Sequence, residues 1–229
     1  DINGYLNNGL YWWTLTPSST FLLRHVSSDG TITSIPASDY DAVRPAINLK
    51  SSVKVVSGDG SENNPYRLEG DNDTNLNGTL LNTRYSGEYI KFGEGENTLY
   101  RIVSHETSGL TKITSAEPLK SGGTFVTSAF GSNTTFSSSN TIGTFLNGDY
   151  LTSYVGDSYS NMIEPSTTWY LGTVGDGTSY ILAKYADINM SSTTSSTTEA
   201  RVGLLRLGEL MSGQFDRYGN NTDYWTITP

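Results

Sequence analysis

Apolar and polar residues alternate along this chain in short runs bounded by Gly, Asn, Asp and Ser, the pattern of strands joined by turns. In "FLLRHVSSDGTITSI" (21–35), Asp29-Gly30 separates two strand-like runs and predicts a hairpin with "SSDG" as its loop. "AVRPAINLKSSVKVV" (42–56) alternates in its second half, and 57–68 reads as a polar loop closing on a short strand. Residues 69–87 lack periodicity and are rich in Asp and Asn, so they read as a linker docked by Leu76, Leu80 and Leu81. A new pattern begins at 88, with strands expected at 89–92, 99–105 and 110–115. Apolar positions 142, 145, 146 and 150, then 151, 154, 155 and 159, step by three and four and predict a helix broken near Gly148. Ser139 or Asn140 caps it. "TTWYLGTV" (167–174) and "SYILAKYADI" (179–188) read as strands, and "SSTTSSTTEARVG" (191–203) opens as a flexible low-complexity stretch. "GLLRLGELMSG" (203–213) reads as a strand leading into a short helix that stops at Gly213.

One stretch occurs twice. "LYWWTLTP" (10–17) and "DYWTITP" (223–229) superpose Trp13 on Trp225, Thr14 on Thr226, Leu15 on Ile227, Thr16 on Thr228 and Pro17 on Pro229. Their separation far exceeds a solenoid period and matches the size of a whole domain. Two unrelated aromatic strands would give the same pairs by coincidence; the shared T-[LI]-T-P continuation favours reading the chain as one period of a tandem array, cut within a domain, with its two ends as homologous copies. It begins at Asp1 without a methionine, which suggests a processed product or a slice of a longer protein.

The segments at 88–119, "NTIGTFLN" (140–147), "ARVGLLRLGEL" (200–210), "YWTITP" (224–229) and "VRPAINL" (43–49) resemble those of the DUF6273 type of bacterial domain. In that family the elements run in this order, whereas here the closing elements, 11–17 and 43–49, come first. The match departs at Thr226 and at Thr144-Phe145, where the family carries other residues. The resemblance implies an α+β, β-rich fold of twisted antiparallel sheets, one or two short helices and long loops, C-type-lectin-like. It divides the chain into a closing half (1–68), a linker (69–87) and an opening half (88–229).

A domain of this kind has one slot for the "YW-T-x-T-P" strand, and the chain carries two candidates. Residues 88–229 alone leave an apolar sheet edge, and such edges seek a strand. The closing half of a neighbouring copy fills it by strand addition; head-to-tail filling does not close and builds a filament. Closure within one chain, as a circular permutant, is the alternative. The assembly residues on this reading are Tyr11, Trp13, Leu15, Val43, Ile47 and Leu49 from one end and Tyr224, Trp225 and Ile227 from the other. The implied role is a structural repeat of an extracellular bacterial fibre or surface array, whose partner is itself. The second reading is a lectin-like adhesin module binding a glycan or a host-surface protein, with Trp12, Arg24, His25 and Tyr40 as contact residues.

Charge and composition narrow these choices. A net charge of -9 disfavours nucleic-acid and anionic-membrane partners, and no apolar run is long enough to insert. With Cys at 0, disulfides, thiolate metal sites and cysteine nucleophiles are excluded, including the chemistry of formylglycine-generating enzymes. No spacing of carboxylates singles out a hydrolytic pair, no cofactor is implied, and the chain does not read as an enzyme. His25 and His105 are expected at the surface or in loops. Asp59 and Glu62 in "GDGSENNPY", and Asp71 and Asp73 in "DNDTNLNG", are weak calcium candidates, because the second loop lacks the glycine and final glutamate of an EF-hand. Most Trp and Tyr residues are expected in the core. Lys-Asn isopeptide crosslinks, used by some cysteine-free surface fibres, leave no trace in such a reading.

Overall fold

The computed structural model describes residues 9–69, 78–106, 108–172 and 196–211. Its strands are β1 (Trp12–Pro17), β2 (Leu22–Val26), β3 (Ile32–Pro36), β4 (Tyr40–Ala42), β5 (Pro45–Leu49), β6 (Lys54–Ser57), β7 (Tyr66–Glu69), β8 (Thr79–Leu80) and β9 (Tyr89–Lys91). They continue with β10 (Leu99–His105), β11 (Thr111–Ser115), β12 (Lys120–Ser121), β13 (Thr124–Phe125), β14 (Thr127–Ala129), β15 (Thr167–Leu171), β16 (Ser196–Ala200) and β17 (Val202–Leu204). Short helices α1 (Thr141–Asn147), α2 (Asp157–Ser160) and α3 (Leu207–Met211) complete it, with a π-helical turn at Leu151–Val155. The fold is α+β and β-rich. Among the described residues, no helix is long and apolar enough to cross a membrane.

A five-stranded sheet runs β14-β4-β1-β2-β3, and an eight-stranded sheet runs β17-β5-β11-β10-β9-β7-β6-β8. Neither is purely antiparallel: β1 pairs with β4 in parallel, and β7 pairs with β9 in parallel. A parallel pair needs a crossover. The β2–β3 hairpin provides the first, and the stretch between β7 and β9 lies within the second. That stretch is not featureless, since β8 pairs with β6 and Leu81 is buried, while Leu80 is exposed.

Both sheets mix strands from before residue 70 with strands from after residue 78. β5 lies between β11 and β17, antiparallel to both, and all five of its residues are buried. A strand covered on both faces reads as a continuous apolar run, as "PAINL" nearly does. The chain passes from one sheet to the other at Val43 and Arg44. Val43 exchanges backbone hydrogen bonds with Val126 and Leu119, at 3.1 and 2.9 Å. Arg44 donates from Nε and Nη2 to the carbonyls of Ser115 and Ala116, both at 2.8 Å.

Local signals place several elements. The β2–β3 hairpin pairs Val26 with Ile32, and Gly30 sits at φ 84°, the left-handed conformation its turn requires. Asn140 caps α1, its side chain accepting from the Gly143 N–H, and Gly148 ends the helix. In the Ser/Thr-rich stretch, residues 191–195 lie outside the described residues, while Ser196–Ala200 form β16, which pairs residue for residue with β15. Trp169 on β15 then packs on Gly203, where an added Cβ would come within 2.6 Å of its ring. The strand expected at 179–188, Leu76 and the copy at 224–229 lie outside the described residues.

Tyr100 of β10 and Tyr150, just beyond α1, share a buried hydroxyl–hydroxyl hydrogen bond of 2.7 Å. Burial pushes both phenols above their ordinary range. Above pH about 10 the unfolded chain sheds these protons while the folded one keeps them, so stability falls as pH rises. Urea midpoints measured from pH 8 to 11 are expected to drop in the wild type and to drop less in the Tyr100→Phe/Tyr150→Phe double variant.

Candidate functional site: the slot of strand β1

Strand β1 is buried along nearly its whole length, with Trp12, Trp13, Thr14 and Leu15 at most 1% exposed. Its register with β2 shifts between Trp13 and Pro17. In this irregular stretch the Leu15 N–H donates to the Leu205 carbonyl at 2.7 Å, outside the β1–β2 ladder. The Leu207 N–H, at the start of α3, donates to Thr16 Oγ1 at 2.9 Å. Trp13 Nε1 donates to the Ser128 carbonyl at 2.8 Å, and Thr14 Oγ1 to the Arg24 carbonyl at 2.6 Å. In its sheet β1 is therefore flanked by β2 on one edge and β4 on the other, and it reaches β14 through Trp13 and the β17–α3 segment through Leu15 and Thr16. At the mouth of this slot the Arg44 guanidinium lies 4.8 Å over the Trp12 ring, whose Nε1 has no hydrogen-bond partner among the described residues.

The expected assembly residues Trp13, Leu15, Val43, Ile47 and Leu49 are all buried in the core at this junction, whereas Tyr11 is 51% exposed. Tyr224, Trp225 and Ile227 lie outside the described residues. The ligand-contact candidates lie on the adjacent strands β1, β2 and β4 but differ in exposure. Trp12 and Arg24 are buried, while Tyr40 is exposed.

His25 is a correction, for it is 3% exposed rather than a surface residue. Its Nδ1 lies 2.7 Å from Asp41 Oδ2, its Nε2 lies 2.5 Å from Thr33 Oγ1, and Thr33 Oγ1 lies 2.9 Å from Ser27 Oγ. The buried carboxylate explains this: an unpaired charge there is costly, so the imidazole is drawn in to donate to it. His105 is half-buried and bridges Arg84 and Thr111, with Nε2 donating to the Arg84 carbonyl at 2.6 Å. Asp41 carried no signal in the sequence, because β4 comes beside β1 only through the parallel crossover.

The "GDGSENNPY" loop is a tight turn. Asp59 Oδ1 accepts from the Ser61 N–H at 2.9 Å, and hydrogen bonding from Ser61 holds its carboxyl below the usual range. Among the described residues no group of three or more His, Asp or Glu side chains is arranged to hold a metal ion. Asp71 and Asp73 lie outside them. Open clefts flank the eight-stranded sheet, two of them lined by both acidic and basic side chains. One, of about 440 Å³, carries Arg44, Arg101 and Lys120 beside Glu62, Glu96 and Glu117. The other, of about 550 Å³, is lined by residues including Asn48, Lys112 and Thr167.

No protein-family model, curated protein or solved structure matches this chain.

Thr16→Val removes the acceptor of the buried Leu207 N–H and is expected to cost about 1–3 kcal/mol. Phe21→Ala, at an exposed position, is expected to change stability by less than about 0.5 kcal/mol. Urea unfolding of the two variants checks the contrast.

Proposed function

We propose that this chain is a structural repeat of an extracellular bacterial fibre or surface array, whose units join by exchange of complementary halves. One observation carries the reading. The side chains that make the specific contacts in the β1 slot are those repeated in the second copy. Trp13, Thr14 and Thr16 bond the slot through their side chains, and Trp225, Thr226 and Thr228 stand at the matching positions. Leu15, buried and apolar, is matched by Ile227. Trp12 is replaced by Tyr224, and Trp12 is the ring whose polar atom makes no hydrogen bond among the described residues. The slot thus accepts either copy with the same bonds.

One chain then carries two segments for one slot, and copies that pass a segment along satisfy both. Residues 88–229 of one copy, completed by residues 18–68 of the next, form a unit in the order of the family the chain resembles. Such joining is head-to-tail and extends without closing. Within a tandem chain the neighbouring half is tethered at an effective concentration of millimolar order, which lets exchange compete with self-closure. The acidic surface, net -9, keeps units apart except where the strand fit is specific.

A lectin-like adhesin module is the second reading, supported by Tyr11 and Tyr40, which are 51% and 73% exposed and offer rings for stacking on a sugar. Light scattering with negative-stain imaging of the purified chain separates the two. Exchange predicts multimers that lengthen with concentration and that Trp225→Ala suppresses. A uniform monomer at every concentration overturns exchange, and saturable glycan binding by that monomer supports the module.

A further inference from the structure

On adjacent antiparallel strands, Asn48 of β5 and Lys112 of β11 stand directly opposite one another. Opposed residues put their side chains on the same face, with Cβ atoms about 4.5–5.5 Å apart. Both side chains run to one further strand. Asn48 Nδ2 donates to Thr167 Oγ1 of β15 at 3.1 Å, and Lys112 Nζ lies 5.1 Å over the ring of Trp169, two residues along. Glu209 of α3 meets the same ammonium, its Oε1 2.8 Å from Lys112 Nζ. Its other oxygen accepts from the Arg206 N–H at 2.8 Å, which fixes the carboxylate.

All three groups are buried: Asn48 is 4% exposed, Lys112 7% and Glu209 5%. Asn48 Oδ1 is buried with no hydrogen-bond partner among the described residues. A buried ion pair contributes little net stability, and a buried amide oxygen left unbonded opposes folding. Stability alone therefore gives a poor account of this constellation. It does supply the parts for amide transfer: an amine, a carboxamide opposite it, and a carboxylate on the amine.

We propose that Lys112 and Asn48 form an intramolecular isopeptide bond, with Glu209 moving the protons. Glu209 takes a proton from the Nζ ammonium, and the freed lone pair bonds to Asn48 Cγ. The Cγ–Nδ2 bond breaks as Glu209 returns that proton to the departing nitrogen, which leaves as ammonia. Glu209 then takes the second proton shed by Nζ and releases it to the ammonia, which leaves as ammonium. No oxidant or co-reactant is consumed. Fixed opposition of the reacting groups supplies the main acceleration, and the shared carboxylate adds acid–base assistance. The cleft beside Asn48 and Lys112 gives the ammonia a way out.

The bond joins β5 to β11, the seam between the closing and opening halves. It forms whichever copy supplies Asn48, so it does not depend on exchange. Within one chain it locks the self-closed unit. Between exchanged copies it makes each junction covalent.

Intact-mass spectrometry of the full natively purified chain tests it. The expected mass is lower than that of the sequence by one ammonia per chain, with a proteolytic fragment joining the Asn48 and Lys112 peptides and absent from Glu209→Ala. A folded wild-type chain of full mass, or one in which Asn48 is merely deamidated, overturns the proposal. Denaturing gels separate it from the exchange reading. A monomer lacking one ammonia keeps the bond and rejects exchange, whereas a ladder joined through the same peptide pair supports both.

Discussion

The structure depends on one seam, the seating of β5 between β11 and β17. Ala46, Ile47 and Leu49 are fully buried there, and β5 forms an antiparallel ladder with each neighbour. Burying Ile47 and Leu49 alone stabilises by about 1.5–3 kcal/mol each. Without β5 that burial is lost. Strands β11 and β17 would also be left as open apolar edges. Segments from before residue 70 and from after residue 78 thus complete one another's sheets.

The other features of the molecule are arranged about that seam. Strand β1 completes it from the five-stranded sheet, reaching Leu205 and Leu207 just beyond β17. Arg44 and Val43 clamp the crossing between sheets. Asn48, Lys112 and Glu209 lie across the seam, one residue from before residue 70 and two from after residue 78. In the proposed array strand fit would select the partner, and the proposed amide transfer would make the selection permanent. This order suits a cysteine-free chain, which has no disulfide with which to fix a junction.

Where local chemistry decided the structure, the sequence was readable. Asp29-Gly30 marked the β2–β3 turn, Asn140 and Gly148 bounded α1, and the run at Leu99–His105 became β10. Contacts distant in sequence were not readable. β16 looked like a flexible Ser/Thr tract because its order comes from pairing with β15, not from its own composition. His25 gave no hint of burial, since Asp41 reaches it only after β4 aligns beside β1. Lys112 and Asn48 stood out no more than other polar residues until the register of β5 on β11 opposed them. The duplicated "YW-T-x-T-P" was legible at once, but which of its residues mattered became clear only from their bonds in the slot.

The central claim is that two complementary halves make one unit and neither folds alone. Separate production of residues 1–69 and 78–229, followed by mixing, measures this most directly. The account predicts that each piece alone unfolds without a cooperative transition and that the mixture regains one as an equimolar complex. Cooperative unfolding of residues 78–229 alone, unchanged on adding residues 1–69, would contradict it.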